Sequence, residues 1–355
     1  LLQGYFGTIH MMIEKELTMD KLTKLGVSAL CGSLAAISAA NAGELTVTGG
    51  VDMSWVSKSD QVTGNPIGMG SNLTFKGSGE LDNGWSVALS VADGNKSAYS
   101  NTNVTVGIPG LGDIRIDQGA TGTGIDRIDD VTPNVWEEAY GTGLTSGIVN
   151  ASGTAAGSNI EWTPDMTPDG MTMRLAWSPE AGGANAGDKE GSGTITSVAR
   201  SGWDAIISLG SDFTGVDGLT LDVGLAQVSQ DTNHATTSGD REEQVVAATY
   251  AVGSWTAGYQ WSEVELGTTT GALKYTNDGY GITFNVNDDL SIGYNNYQSE
   301  QDNATDVTTE ATSLQVAYTM GGASFRAAKA EVDNPSYSTS AADLEMTTLS
   351  VSLAF

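Results

Sequence analysis

Hydrophobic and polar residues alternate with a period of two through much of the chain beyond residue 43. Residues 85–91, WSVALSV, place Trp, Val, Leu and Val on one side of an extended chain and Ser, Ala and Ser on the other. Residues 219–226, LTLDVGLA, repeat this pattern. Because successive side chains of a strand point to opposite faces, such segments predict strands with one apolar face.

The alternation predicts an all-β chain of about sixteen strands, although about fourteen or about eighteen would also fit the pattern. The candidate strands lie near residues 44–57, 69–81, 84–93, 102–108, 113–118, 158–163, 171–178, 201–210, 218–229, 243–253, 255–266, 279–286, 289–299, 310–320, 322–332 and 344–355.

The connections between these strands alternate between short and long. Short turns rich in Gly, Asn and Asp lie at residues 82–84, 109–112, 169–170, 217–218, 287–288 and 321–322. Longer polar connections lie near residues 58–68, 119–157, 179–200, 230–242, 267–278, 300–309 and 333–343. This rhythm predicts an antiparallel up-and-down meander with tight turns at one end and long loops at the other.

A closed barrel of about sixteen strands is too wide for side chains to fill, so its interior holds water. The apolar faces must then point outward, and lipid is the natural medium because a closed barrel pairs all its backbone groups. Six tryptophans near turns and loops are typical of a membrane–water interface, although a packed sandwich core would also accept them. They are Trp55, Trp85, Trp162, Trp177, Trp203 and Trp255.

The first part of the chain reads as a secretion signal. Residues 19–42 combine two lysines, an uncharged stretch and a small-x-small cleavage site, which predicts cleavage between Ala42 and Gly43. Residues 1–18 look like an upstream extension that is not in the native protein. The only cysteine, Cys31, leaves with the signal, so the predicted mature chain 43–355 has no thiol.

Composition excludes some function classes. The chain carries 43 acidic and 15 basic residues, a formal net charge of −28. A nucleic-acid partner would need clustered bases, which the sequence lacks. No uncharged apolar run beyond residue 43 approaches the length of a transmembrane helix.

An export signal, the alternating strands, the short-turn and long-loop rhythm and a last strand ending in Phe together resemble the Gram-negative general diffusion porins. Residues 104–119, VTVGIPGLGDIRIDQG, are similar to the fourth and fifth strands of the alphaproteobacterial branch. The resemblance implies a sixteen-stranded transmembrane β-barrel in the bacterial outer membrane, assembled as a homotrimer among lipid and lipopolysaccharide. It also implies a third loop that folds inward and narrows a channel for small hydrophilic solutes.

Residues 119–157 form the longest connection and follow the fifth strand, where the resemblance places this third loop. We expect acids of this loop to line the constriction. They are Asp126, Asp129, Asp130, Glu137 and Glu138. Charged residues of a solvated external loop would look the same in sequence. No metal or cofactor is expected. The alternative left open is a structural calcium ion among Asp126, Asp129, Asp130 and Glu137, because oxygen-rich clusters suit calcium.

Porin constrictions set loop acids against bases on the barrel wall. Five of the 12 bases that remain after Lys15, Lys21 and Lys24 are removed lie opposite the apolar stripe, so we expect them to point into the lumen. They are Lys58, Lys76, Arg115, Arg174 and Arg326. Lys76 and Arg115 are the preferred candidates because their strands lie near the loop. Exclusion from lipid would by itself also turn charged residues inward.

The last strand carries Val351, Leu353 and Phe355 on its apolar face. By the resemblance, these residues form the signal that the barrel-assembly machinery reads.

These features together predict a passive diffusion channel with weak cation selectivity. Two alternatives stay open from sequence. One is an acidic surface-layer or adhesin protein, and the other is an outer-membrane hydrolase. A hydrolase is disfavoured because the predicted mature chain has a single histidine, His234, in a polar loop.

Overall fold

In a computed structural model, the chain forms one closed antiparallel barrel of sixteen strands, and each strand pairs with its neighbours in sequence. The structure describes residues 42–59, 63–95, 97–118, 122–141, 143–182, 198–303 and 305–354. The predicted all-β, up-and-down architecture is therefore confirmed. Residues 1–41, which include the predicted upstream extension 1–18, the predicted signal up to residue 41 and Cys31, lie outside the described residues.

The first eight strands are β1 (Ala42–Ser59), β2 (Ile67–Glu80), β3 (Ser86–Gly94), β4 (Ser97–Ile108), β5 (Gly112–Gln118), β6 (Ser158–Thr163), β7 (Met171–Ser178) and β8 (Ala199–Leu209). The last eight are β9 (Leu219–Gln230), β10 (Arg241–Val252), β11 (Trp255–Glu265), β12 (Lys274–Asn285), β13 (Leu290–Asp302), β14 (Val307–Met320), β15 (Ala323–Asp333) and β16 (Leu344–Ala354). One short helix, α1 (Ser211–Thr214), lies between β8 and β9.

The short and long connections lie at opposite ends of the barrel, as the rhythm predicts. Four connections depart from this rhythm. At the long-loop end, residues 95–96 between β3 and β4 and residues 303–306 between β13 and β14 are short, and at the short-turn end residues 164–170 and 210–218 are seven and nine residues long. Three short 3-10 turns, Gly124–Arg127, Ala139–Gly141 and Pro335–Tyr337, lie in long connections. The first two belong to residues 119–157, called the long loop below.

The two faces of each strand meet different surroundings. In β10, Val245 is fully buried inside the barrel, whereas its neighbour Val246 is 47% exposed on the outside. Aromatic side chains join the outer face at the short-turn end, where the rings of Trp255 and Phe284 lie 4.4 Å apart. No helix among the described residues is long and apolar enough to cross a membrane.

The barrel closes between β1 and β16. Their register runs from Gly50 opposite Ala354 to Ser59 opposite Glu345. Val351 and Leu353 lie in this seam, opposite Met53 and Val51. Phe355 itself lies outside the described residues.

Several strands extend further toward the long-loop end than the alternation predicts. β12 begins at Lys274 rather than near residue 279, and β13 continues to Asp302 rather than about residue 299. Outward positions in the added part of β12 are Lys274, Thr276 and Asp278, so this part has no apolar face to reveal it as a strand.

Candidate functional site

The long loop folds into the barrel and packs against its inner wall. Ile125 and Ile128 of the loop are buried in one apolar cluster with Ile206, Val245 and Val264, which point inward from β8, β10 and β11. Burial of large apolar side chains contributes about 1.5–3 kcal/mol each, so this cluster is a substantial anchor. The loop therefore crosses the lumen instead of standing outside it.

A second apolar cluster holds the later part of the loop. Ala139 and Leu144 pack with Ala330, Val332 and Met346, which point inward from β15 and β16. The loop is thus fixed along β8 to β11 and again at β15 and β16. Val56 of β1 also packs against this second cluster, whereas no described residue of β2 to β5 belongs to either cluster.

Inward glycines form a groove that receives residues 129–137, called the tip of the loop below. A Cβ atom at Gly258 would lie 2.6 Å from Pro133 Cδ, and one at Gly293 would lie 3.2 Å from Val135 Cγ1. A Cβ at Gly281 would overlap the Pro133 carbonyl. Pro133 and Val135 reach the sheet because these wall positions carry no side chain.

Wall amides hold the backbone of the same tip. The Gln260 Oε1 atom accepts a hydrogen bond from Val131 N at 3.0 Å, and Gln315 Oε1 accepts one from Trp136 N at 3.0 Å. Gln260 and Gln315 also donate to the carbonyls of Asp129 and Glu137. Each glutamine thus satisfies a loop donor and a loop acceptor that the tip would otherwise bury unpaired.

The five loop acids lie in a short stretch along the loop. The side chains of Asp130 and Glu137 are exposed to the lumen, and the other three are half-buried. Asp126 accepts a hydrogen bond from Gly122 N, and Glu138 accepts one from Asn134 Nδ2.

Burial raises the pKa values of all five acids, and repulsion from neighbouring acids adds to this in every one except Asp126. For Asp129, burial and the neighbouring charges of Asp130 and Asp126 raise the pKa to about 9. For Glu138, burial, with lesser contributions from Asp130 and Glu137, raises the pKa to about 7. Burial also raises the pKa of Glu137, which is opposed by the Arg326 charge. The charge of the loop therefore depends on pH near neutrality.

Two of the five predicted wall bases form ion pairs within the wall. Arg115 Nη2 lies 2.6 Å from Asp117 Oδ2, two residues along β5. Arg326 Nη2 lies 2.8 Å from Asp52 Oδ2 of β1, and its guanidinium lies 5.4 Å from the ring centroid of Trp136 in the loop. Both bases reach the loop, since Arg115 also donates to the Gly122 carbonyl at 3.4 Å.

The other three predicted bases also lie on the inner face. Lys76 is opposite Ser90 and Thr46, and the neighbouring Phe75 is exposed outside. Arg174 lies opposite the buried Ile206.

Lys58 lies opposite Met346, which is buried against the loop. Within the described part of the chain, Lys58, Lys76 and Arg174 have no carboxylate within 4.0 Å.

The charge balance at the loop is uneven. Arg127, which lies among the loop acids in sequence, turns to Glu161 of β6, with Nη2 at 2.6 Å from Oε1. Across the described ranges, none of the five loop acids has a base within 4.0 Å. A wall base that is paired with a wall acid contributes little net field at the loop. No group of three or more carboxylate, His or Cys side chains is arranged to hold a metal ion in the part of the chain that the structure describes.

Sequence reasoning missed the wall residues that seat the loop. These are chiefly the buried acids Glu161, Asp204 and Glu243 and the inward glycines. Their signal is present in the strand pattern, because acids and glycines at inward positions of a wide barrel need a partner inside it. Without the register between strands, the sequence does not show that one loop meets them all.

Comparison with known proteins identifies relatives of this chain. A family model described as Gram-negative porin matches residues 26–336. A search of curated protein sequences returned no significant match.

Several solved structures share the architecture. A Salmonella typhi OmpF in complex with daunomycin aligns with a TM-score of 0.66 at 12% identity, over 88% of this chain and 97% of that one. An anion-selective porin from Comamonas acidovorans aligns with a TM-score of 0.61 at 15% identity, over 88% and 99%. A triple mutant of the Rhodopseudomonas blastica porin aligns with a TM-score of 0.56 at 12% identity, over 88% and 100%. At these identities the likeness establishes the fold.

Proposed function

Because this chain belongs to the Gram-negative porin family, and is therefore an integral outer-membrane channel protein, we propose that it lets small hydrophilic solutes and ions diffuse passively through its lumen with a weak preference for cations. The cation preference is supported by the acids of the long loop, none of which has a basic partner within 4.0 Å among the described residues. Five carboxyl groups lie on the loop. Arg115, Arg127 and Arg326 are each paired with a wall acid, which leaves, in the described part of the barrel, three unpaired inward bases, Lys58, Lys76 and Arg174, against these five acids. Excess negative charge in a narrow aqueous passage raises the local cation concentration.

The proposed passage lies between the acidic loop and the polar inner face of β1 to β5. On this face, β1 to β5 present inward Ser, Thr and Asn side chains together with Lys76, Arg115 and the acids Asp52, Asp113 and Asp117. A solute in this space can exchange hydrogen bonds with water for hydrogen bonds with hydroxyl and amide groups. Polar solutes are favoured over apolar ones because an apolar solute must displace ordered water without replacing its hydrogen bonds.

We propose no catalytic role. His234 lies exposed between β9 and β10, and its Nδ1 atom contacts only the Thr236 hydroxyl, at 3.0 Å, among the hydrogen bonds described for it. A nucleophile with an oriented base is the minimum that hydrolysis needs. Family membership also argues against the adhesin alternative.

The partners in this proposal follow from the family. They are two further copies of the chain in a homotrimer, lipid and lipopolysaccharide around the outer face, and the barrel-assembly machinery at the C-terminal strand.

The decisive experiment neutralises three loop acids together, as Asp126→Asn, Asp129→Asn and Asp130→Asn. The reversal potential across a KCl gradient is measured in planar bilayers above pH 9, where these acids are ionised. We expect the preference for potassium to fall while the channel still conducts. Wild-type protein that forms no conducting steps would refute the channel function itself.

The matched control removes three acids from the short-turn end, as Asp165→Asn, Asp169→Asn and Asp217→Asn. These residues lie in the connections after β6 and β8, so the net charge changes equally while the loop is untouched. Equal shifts in both triple variants would assign selectivity to the overall charge of the protein and not to the loop.

A further inference from the structure

The wall residue Asp204 contacts both ends of the long loop. Its carboxylate is 1% exposed and points inward from β8. From the start of the loop it accepts a hydrogen bond from Ile125 N at 3.1 Å. From the end of the loop it accepts hydrogen bonds from Thr154 N at 3.1 Å and Thr154 Oγ1 at 3.0 Å. One side chain therefore joins segments that are about thirty residues apart in sequence.

A glycine from each end of the loop makes room for this carboxylate. Gly124 and Gly153 have φ values of +57° and +50°, in the left-handed region that favours glycine. A Cβ atom at either position would lie 2.6 Å from Asp204 Cγ. The carboxylate thus occupies the space that side chains would take, with loop backbone on both sides.

Two further wall acids lie in the same row across the sheet. Glu161 of β6 and Glu243 of β10 flank Asp204, with Ala176 and Ala226 on the strands between them. The small alanines leave the surface of the row open to the loop.

The flanking acids contact the same two loop ends. Glu161 Oε2 accepts from Gly124 N at 2.8 Å. Glu243 Oε2 accepts from Ser152 N at 2.7 Å and Gly153 N at 2.8 Å. Each flanking acid is also ion-paired, Glu161 with Arg127 and Glu243 with Arg241. Asp204 alone of the three touches both ends of the loop.

We propose that Asp204 is the positioning residue of the constriction: it clamps the two ends of the long loop to one point of the wall and thereby sets the shape of the passage. The inference rests on the proposed channel function for its effect on current. The apolar clusters bury loop side chains without directional bonds, whereas carboxylate–amide hydrogen bonds are directional and stronger than neutral ones. Loss of the acceptor leaves buried amide groups unpaired, which favours a displaced loop.

The test compares Asp204→Leu, Asp204→Asn and Thr154→Val. Leu removes all acceptors and Asn keeps one acceptor oxygen, whereas Val removes only the hydroxyl donor. Asp222→Leu is the matched control, because Asp222 also points inward and is nearly buried, but it bonds to Ser208 of the wall.

Two measurements are made on each variant. Hydrogen exchange of the loop amides, including Ile125 and Thr154, reports the clamp directly in detergent-folded protein. Single-channel recording reports the passage. In Asp204→Leu we expect exchange at these amides and the occupancy of secondary current levels each to rise by about tenfold or more, with smaller rises in the other two clamp variants.

Unchanged exchange in Asp204→Leu would overturn the clamp. Faster exchange with a wild-type current pattern would overturn its role in setting the passage. If Asp204→Leu does not fold, Asp204→Asn and Thr154→Val decide by the same criteria. Wild-type protein without conductance would refute the proposed channel function, and the exchange measurement would still decide the clamp.

Discussion

Gly281 offers the sharpest test of how the long loop is seated. It points inward from β12 beneath Pro133, and a Cβ atom there would lie 3.1 Å from both the nitrogen and the carbonyl carbon of Pro133, and closer still to the carbonyl oxygen. Non-bonded carbon atoms prefer separations of about 3.5–4.0 Å. Gly281→Ala therefore requires the loop tip to move by about 1 Å toward the lumen.

The energetic cost follows from the same geometry. Overpacking of a well-packed site costs about 1–3 kcal/mol. An energy of that size changes an equilibrium by about 5- to 150-fold. We expect Gly281→Ala channels to show a lower main conductance together with a secondary level from the displaced loop, measured one channel at a time in planar bilayers.

Gly77→Ala provides the control. Gly77 lies in β2, and a Cβ atom there would meet nothing within 4 Å. The same substitution in a strand is otherwise slightly favourable, by about 0.5–1 kcal/mol. If Gly281→Ala gives the same current pattern as Gly77→Ala, the glycine groove does not position the loop. Shifted gel mobility on heating verifies that both barrels are folded.

Three other predictions concern charge and assembly. Burial raises the pKa values of Glu138 to about 7 and Asp129 to about 9, so both groups are neutral at low pH and gain charge as the pH rises. Cation preference, read from reversal potentials, should therefore increase between about pH 6 and about pH 10. Arg326→Gln should also raise cation preference, because it leaves the Asp52 carboxylate without its cation. Deletion of Phe355 should reduce the amount of assembled outer-membrane protein more than it alters the conductance of channels that form.

Each of these three predictions has a control variant or a result that would contradict it. Glu138→Gln should remove the rise near pH 7, and a flat profile in the wild type would contradict the link between loop ionisation and selectivity. Lys329→Gln makes the same charge change as Arg326→Gln but on the outer face, where Lys329 contacts Glu331 and Glu345. Phe355→Trp should assemble normally, and wild-type yields of the deletion variant would remove Phe355 from the assembly signal.

Alternation was sufficient to predict the strands where one face is apolar. It failed at the long-loop end of β12, where Lys274, Thr276 and Asp278 point outward. There the strand has no apolar face, because its outward side chains are charged or polar and its inward ones meet water or the loop. Hydrophobic and polar residues alternate only where the two faces of a strand meet different surroundings, so the alternation cannot reveal a strand with two polar faces.

The sequence predicted the loop and the inward bases of the candidate site but not their ion pairs. Loop length predicted which loop folds into the barrel, and the alternation along the strands placed Lys76, Arg115 and Arg326 on the inner face. Ion pairing was beyond the sequence, since Arg326 pairs with Asp52 across the closing seam, 274 residues away. Arg127 turns from its neighbouring acids to Glu161, a choice set by the register of β6 against the loop.

The row formed by Glu161, Asp204 and Glu243 recognises the loop largely through main-chain amide groups, which every residue except proline supplies. Side chains of the loop that face the lumen, such as Asp130 and Glu137, can therefore be exchanged without loss of this attachment. Because different groups attach the loop and meet the solute, drift or directed evolution can change the charges that a solute meets while the loop stays in place. For an engineer, the lumen-facing positions Asp130 and Glu137 are replaceable, and Gly124 and Gly153 mark the fixed borders of the loop.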